Sequence, residues 1–418
     1  MSEIRVRMYR TGFGDCFLIR FGKGLETRYM LIDFGAHMHG DIGTMCQIME
    51  DIEKTTRSKL EVIVATHQHR DHISGFGQFA DRFAKFKIGE VWLPWTDDPN
   101  DERARSFRTK QLALYDALDT HLRVGLKATE ADQKYTAALD ALANLRGNEA
   151  AVTELQRGFG TGASVHYFEG GQSITKVGRI AGLSAEFLAP PKDSSFLSRM
   201  NPPADQHFLT APGVRADDVH PFPKLEIKAV PTDPDYSAIL EEGQPILAPK
   251  AIKALEGMAD FSADRLALAL DNVRNNTSLV ILFRYQGKVL LFPGDAQWGN
   301  WQSWIGTDRA NEILKEVDFL KVAHHGSENA TPVEVVQALK AAGLAVMVPT
   351  QTKPFPTIPR KPLLEALEKH CLDNVAVRSD WIGVQGAPTD PGAPTNPAAQ
   401  PPLPPGFSLG PVWIDFSF

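Results

Sequence analysis

The apolar residues of this chain fall into short unbroken runs separated by polar turns. Val62-Ile63-Val64-Ala65, Leu279-Val280-Ile281-Leu282-Phe283, Val289-Leu290-Leu291-Phe292 and the segment from Asp318 to Ala323 are too short for helices and have no polar face. Such runs predict strands covered on both sides. Ile4, Val6 and Met8 alternate, and the apolar runs Cys16-Phe17-Leu18-Ile19 and Met30-Leu31-Ile32 follow, so residues 4–34 read as strands of one sheet. Gln286-Gly287 between two of the runs is hairpin chemistry. Further strands are expected at 87–93, within 164–191, at 343–348 and at 407–418.

Helical spacing appears between these strands. Residues 43–57 and 73–84 read as helices flanking the run at 62, and 362–370 as another. From 97 to 160 the composition shifts to Ala, Leu and charged residues, with Leu112, Tyr115, Leu118 and Leu122 at helical spacing and Leu139, Leu142 and Leu145 repeating it. Two or three amphipathic helices are the natural reading of this insertion, as a cover over a cleft or a subunit contact. A second insertion spans 191–274, loop-like to 235 and then helical at 249–258 and 262–273. Proline-rich residues 386–406 lack core-forming content and read as a surface loop. The chain as a whole, 1–418, is expected to be a single domain carrying these insertions.

Composition narrows the function classes. With 43% hydrophobic and 23% charged residues, a sizeable core is feasible. No run of eighteen apolar residues occurs, and the N-terminus lacks an apolar signal core, so a cytoplasmic protein with no membrane partner is expected. Cys16, Cys46 and Cys371 form no C-x-x-C pair and indicate neither a disulfide framework nor a thiolate zinc site. A net charge of −7 argues against coating nucleic acid by bulk electrostatics, while leaving room for a local cationic cleft that holds a phosphate.

The candidate chemistry begins where the run at Val62 stops. His67, His69, Asp71 and His72 follow Thr66 within six residues, in a chain with only 12 histidines. Histidines spaced i, i+2 at a strand end project the same way, and a tight turn after them can bring Asp71 and His72 around a neighbouring point. That layout suits two cations side by side, with ligand distances of roughly 2.0–2.2 Å normal for zinc. Asp33 closes the third strand as a turn former or a supporting partner. Pro293-Gly294-Asp295 places a carboxylate after a buried strand, suited to bridging two cations, with an N-cap for a helix at 298–304 as the competing reading. His324 and His325 end another strand, where adjacent side chains face opposite ways and should have different jobs. His37 and His39 lie in a loop, read first as solvated.

The H-x-H-x-D-H string from His67 to His72 resembles the signature of the metallo-β-lactamase superfamily. That resemblance implies an α/β fold, a four-layer αββα sandwich with a metal pair in a cleft between two sheets. Three further stretches resemble the branch that includes the competence-protein β-lactamase-like domain and teichoic-acid phosphorylcholine esterases. They are Gly12-Phe13-Gly14-Asp15-Cys16, Asn276-Thr277-Ser278 leading to Pro293-Gly294-Asp295, and Leu320-Lys321-Val322-Ala323-His324-His325-Gly326-Ser327. The similarity spans roughly 3–95, 164–191 and 275–350. It implies that His67 and His69 serve one metal, Asp71 and His72 the other, Asp295 bridges, His325 is the late ligand, Asp33 supports by hydrogen bonding, and His324 contacts the phosphate or leaving oxygen. The family usually supplies a further histidine to the first metal before the hairpin. Here that strand end reads Leu188-Ala189-Pro190-Pro191, leaving His166, His207, His220, His37 or His39 as substitutes.

The function expected on this basis is metal-dependent hydrolysis, with Asp71, Asp33 and His324 in the catalytic set. Water held between two divalent ions, zinc or alternatively manganese, would attack a phosphodiester. A phosphodiester-containing or other small substrate is the expected partner, with nucleic acid a candidate. Ester, thioester or lactone hydrolysis in the same cleft is the second reading. A binding or regulatory module with an incomplete metal site is the third.

Overall fold

The N-terminal alternation forms two antiparallel strands, β1 (Ile4–Tyr9) and β2 (Cys16–Phe21), followed by β3 (Arg28–Phe34), in the computed structural model. The structure describes residues 3–37, 40–112, 115, 148–199, 202–208, 273–351, 357–381 and 401–418. After β3 the connections become right for parallel pairing. Helix α1 (Met45–Thr56) leads to β4 (Lys59–Val64), and helix α2 (Arg70–Gln78) leads to β5 (Lys87–Pro94), which pairs with β6 (Ser164–Phe168). Thr44 starts α1 through a capping box with Gln47.

The second sheet repeats the plan. Antiparallel strands β7 (Ser173–Ile174), β8 (Leu183–Ala189), β9 (Val280–Tyr285) and β10 (Lys288–Phe292) precede parallel β11 (Phe319–Lys321), β12 (Ala345–Val348) and β13 (Val377–Arg378). The chain then returns to the first sheet as β14 (Phe407–Leu409) and β15 (Trp413–Ser417). The orders are β14-β15-β1-β2-β3-β4-β5-β6 and β13-β12-β11-β10-β9-β8-β7.

One apolar layer fills the space between the sheets, with Val62 and Val64 on one side and Ile281, Leu290 and Phe319 on the other. Trp92 meets Phe168, Phe187 and Phe283 there. Each fully buried side chain of this size contributes about 1.5–3 kcal/mol relative to exposure. The outer face of the first sheet packs on α1, α2 and helix α3 (Glu149–Gln156), and that of the second on helices that include Asp308–Glu316 and Lys361–Glu368. The result is the four-layer αββα sandwich expected from the motifs. Both sheets turn the carboxyl ends of β3, β4, β10 and β11 to one side, the usual place for ligands in parallel α/β sheets.

Several sequence expectations need correction. The helix after the histidine motif starts at Arg70 rather than 73, so Asp71 and His72 sit in its first turn instead of in a loop before it. The expected strand to Ala323 ends at Lys321, because a turn at Ala323–Gly326 carries both histidines. The expected last strand is a hairpin, β14 and β15, whose second strand pairs with β1. Within the stretch expected as the first insertion, residues 148–160 pack against α2 in the outer helical layer. The repeat at Leu139–Leu145, the helix expected at 249–258, that expected at 262–273 up to its last residue, His39, His220 and most of 386–406 lie outside the described residues.

Candidate metal centre

The H-x-H-x-D-H motif spans the end of β4 and the start of α2, and two glycines decide how closely it meets the rest. A Cβ at Gly35 would lie 2.4 Å from the backbone of Asp71 and His72, and one at Gly14 would lie 2.9 Å from the Asp71 carbonyl. Only glycine admits that approach. It lets the Asp15 N–H donate to the Asp71 carbonyl (2.8 Å) while the Asp15 carbonyl accepts from the Gly35 N–H (3.0 Å). Asp15 is thereby buried beneath the motif.

Asp33, held at a left-handed φ of 55°, accepts from the Thr66 N–H and the Thr66 hydroxyl, both at 2.7 Å. Its Oδ2 also takes Nδ1–H of His72 at 2.8 Å. That bond fixes the ring so that Nε2 faces Asp295 Oδ2 at 3.0 Å. His325 is fixed in the same way from the second sheet. Its Nδ1–H donates to the Pro349 carbonyl (2.9 Å), turning Nε2 towards Asp71 Oδ2 (3.1 Å) and Asp295 Oδ2 (3.6 Å). Asp71, His72, Asp295 and His325 are all buried, and one donor atom from each lies within 4.8 Å of the others.

His67 and His69 form a neighbouring pair, with Nε2 of the first 3.0 Å from Nδ1 of the second. Both are buried. Among the histidines considered as a further ligand, His166 is exposed on β6 beside Phe168, and His207 bonds the Pro202 carbonyl (2.6 Å). His37 packs edge-on against Phe13, whose ring in turn covers His325. Asp295 is not a helix cap; Gln297 occupies the N-cap position of the helix at Trp298–Gln302, with no side-chain cap bond.

The doublet departs from the expectation of a strand end. His324 and His325 both adopt left-handed backbone, φ 42° and 55°, in a turn rather than in β11. Each such residue costs of order 1–3 kcal/mol, held here by surrounding contacts. The Ser327 N–H donates to the His324 carbonyl (2.9 Å), and the Arg360 N–H donates to the Gly326 carbonyl (2.9 Å). Both imidazoles therefore reach the same side, with His324 Nε2 4.0 Å from Asp295 Oδ2. The Ser327 hydroxyl donates to Asn329 (3.0 Å) and lies 2.8 Å from His324 Nδ1, which Gln297 Nε2 also approaches at 3.5 Å.

Lys321 is the element that residue patterns did not reveal. Buried at the end of β11, its ammonium pairs with Asp15, sits 3.1 Å from Asp295 Oδ1 and donates to the Gly294 carbonyl (2.8 Å). One oxygen of Asp295 therefore faces lysine and the other faces the histidines. A lysine in an otherwise apolar strand run, Phe319-Leu320-Lys321-Val322, was the available signal.

Electrostatics follow from this packing. Burial pushes His67 well below the usual imidazole range, His69 to about 3 and His324 to about 4. Burial opposes charge on His72 and His325 as well, but the surrounding carboxylates, Asp295 foremost, raise both. Burial likewise opposes ionised Asp71 and Asp295, and His72 leads the cations that keep them lowered. Asp15 is raised by burial against the pull of Lys321. Burial also opposes the Lys321 charge, which Asp15 and Asp295 nevertheless raise to about 12.

The donor set fits a divalent ion. Asp71 Oδ1 is buried without a hydrogen-bond partner, His72 Nε2 is turned inward to Asp295 Oδ2, and carboxylate with imidazole suits zinc or manganese. Raised imidazoles must give up protons to bind it. Zinc titrated into chelator-treated protein at pH 7 should therefore release about one proton or more per ion, read by calorimetry in buffers of different ionisation enthalpy, and affinity should rise with pH. The stabilisation of the ion-free protein by raised His72 and His325 is complete below their unfolded value of about 6.5 and is lost as pH rises through their folded values. Buffer-independent heats would contradict this charge distribution.

Residues 9–130 match the family model described as the metallo-beta-lactamase superfamily, a stretch that runs from β1 through the His67–His72 motif. A solved structure, that of the metallo-beta-lactamase fold protein YhfI from Bacillus subtilis, is similar at 9% identity, covering 76% of this chain and 70% of that one with a TM-score of 0.29. No curated protein matches the chain. Among the described residues no helix is long and apolar enough to cross a membrane.

Proposed function

We propose, from the superfamily segment at 9–130 and the donor cluster it helps to build, that this chain is a metal-dependent hydrolase acting on phosphodiester bonds. The observation that carries the reading is the convergence of Asp71, His72, Asp295 and His325 from both sheets on one buried point. In this reading Asp71, His72, Asp295 and His325 would hold one ion, and His67 and His69 with Asp295 would hold a second. Bound there, zinc or manganese supplies Lewis acidity and activation of water near neutral pH.

The protein's own groups do the rest. Asp33 and the Pro349 carbonyl keep His72 and His325 in the tautomers that point inward. Lys321 holds Asp295 Oδ1 and leaves Oδ2 facing His72 and His325. His324, lowered to about 4 by burial, stands neutral at the edge of the cluster. It is therefore suited to accept a proton or a hydrogen bond from the attacking water, and less to arrive already protonated for the leaving oxygen. The branch similar to phosphorylcholine esterases favours a phosphodiester, with nucleic acid among the candidate substrates and a cytoplasmic setting expected.

The test is turnover of bis-p-nitrophenyl phosphate by protein loaded with zinc or manganese, alongside thioester and lactone panels. Hydrolysis of the diester that is lost with chelator and restored by metal supports the reading. Turnover only of carboxyl esters or lactones would move the assignment to the second class. Silence on every substrate with metal bound would leave a binding module.

A further inference from the structure

Beside the histidine pair lies a polar group that the hydrolytic reading does not use. Gln68, between His67 and His69 in sequence, accepts from Arg274 Nη1 at 2.8 Å. Arg274 Nη2 reaches Gln111 Oε1 at 3.4 Å. Asn148 Nδ2 donates to the Gln68 carbonyl (2.9 Å) and steadies that segment. Arg274 is half-buried, so its guanidinium is neither sealed in the core nor free in solvent. Its charge reaches His69, where it adds to the effect of burial.

The surroundings carry unspent hydrogen-bonding capacity. Asn275, only 1% exposed, has neither its side-chain oxygen nor its nitrogen in a hydrogen bond. The buried Gln111 Nε2 is likewise without one, whereas Gln68 also bonds Asp97, a carboxyl that burial pushes up to about 6 against the pull of Arg274. Leaving such groups unpaired in a folded protein costs about 1–3 kcal/mol each, so the unpaired amides of Gln111, bonded to Arg274, and of Asn275, next to it in the chain, call for a reason. Donors grouped about a permanent cation are what a phosphate oxyanion takes, and the planar guanidinium can meet two of its oxygens at once.

We propose that Arg274, with Gln68, Gln111 and Asn275, is a subsite for the anionic phosphate of the substrate, set beside His69 at the edge of the metal cluster. It makes Arg274 a specificity-determining residue that selects anionic diesters over neutral esters. The inference rests on the hydrolase reading for its meaning, while the binding of phosphate can be measured without turnover.

The experiment uses the full chain loaded with metal, comparing wild type with Arg274→Met and Arg274→Lys after checking melting temperature and metal content. Inorganic phosphate binding by calorimetry should weaken about tenfold or more in Arg274→Met, as expected for a lost charge-assisted pair, with Arg274→Lys intermediate. KM for bis-p-nitrophenyl phosphate should rise by a similar factor, with a much smaller change for p-nitrophenyl acetate. Unchanged phosphate affinity in folded, metal-loaded Arg274→Met overturns the subsite even if the diester is hydrolysed. Equal losses on the anionic and neutral substrates overturn it too, leaving Arg274 as a scaffold for Gln68. Arg274-dependent phosphate binding with no turnover of any substrate supports the subsite and refutes the hydrolase instead.

Discussion

Asp295→Ala is expected to lower diester turnover by about a thousandfold or more and to strip metal from the protein. Removing a single preorganised transition-state partner costs about 10²–10³ in rate, and this side chain serves more than one. Its Oδ2 lies 3.0 Å from His72 Nε2 and 3.6 Å from His325 Nε2, and its Oδ1 lies 3.1 Å from Lys321. No neighbouring carboxylate takes its position, since Asp71 approaches the cluster from α2 and Asp15 is occupied by Lys321. The measurements are metal content after gel filtration and kcat at saturating metal. Near-UV circular dichroism separates loss of the site from loss of the fold. A folded Asp295→Ala protein with wild-type metal content and turnover would remove the basis for the assignment.

Lys321→Met should destabilise the ion-free protein by about 3–5 kcal/mol, because it leaves Asp15 and Asp295 buried without their cation. Methionine keeps much of the stem volume, so the loss reports charge rather than packing. Lys321 has its folded pKa raised to about 12. The stability it contributes is thus complete below the ordinary lysine value of about 10.4 and disappears as pH rises through about 12. Wild type should show an alkaline loss of stability in urea titrations that Lys321→Met lacks. Metal should recover part of the difference, since ions supply positive charge to the same carboxylates. If Lys321→Met matches wild type in urea midpoint without metal, the ammonium has no structural role at the centre.

The two substitutions act on one cluster and will not be additive. Asp295 and Lys321 are direct partners at 3.1 Å. In the double variant the lysine is no longer stranded by loss of the aspartate, so the stability loss should be smaller than the sum of the single losses.

Much of this architecture is readable from residue order. Runs such as Val62-Ile63-Val64-Ala65 and Leu279–Phe283 have no polar face, and a strand of that kind is stable only when both faces are covered. Layers on either side of each sheet follow from it. The crowding of His67, His69, Asp71 and His72 after one such strand is equally local, because neighbours in sequence at a strand end are neighbours in space. Helix boundaries were less legible. The hydrophobic spacing that marks α2 begins at Ile73, whereas the helix already starts at Arg70 with Asp71 in its first turn, where a carboxylate is favoured by the exposed backbone N–H groups.

Contacts across long separations were beyond the reach of local pattern. Asp71 and His325 meet although they are 254 residues apart. Asp15 lies in a glycine-rich stretch and Lys321 in an otherwise apolar strand run; only the fold, which seats Asp15 beneath the Asp71 backbone through Gly14 and Gly35 and brings β11 alongside, makes them a pair. The left-handed turn at His324 and His325 is similar in kind, since local sterics disfavour it and contacts from Ser327 and Arg360 hold it. Periodicity and spacing act through neighbours within a few positions, and they decided which strands are buried and which side chains are suited to metal. Charge balance and backbone strain are settled by whatever the rest of the fold brings alongside, and those were fixed when the two sheets closed on one another.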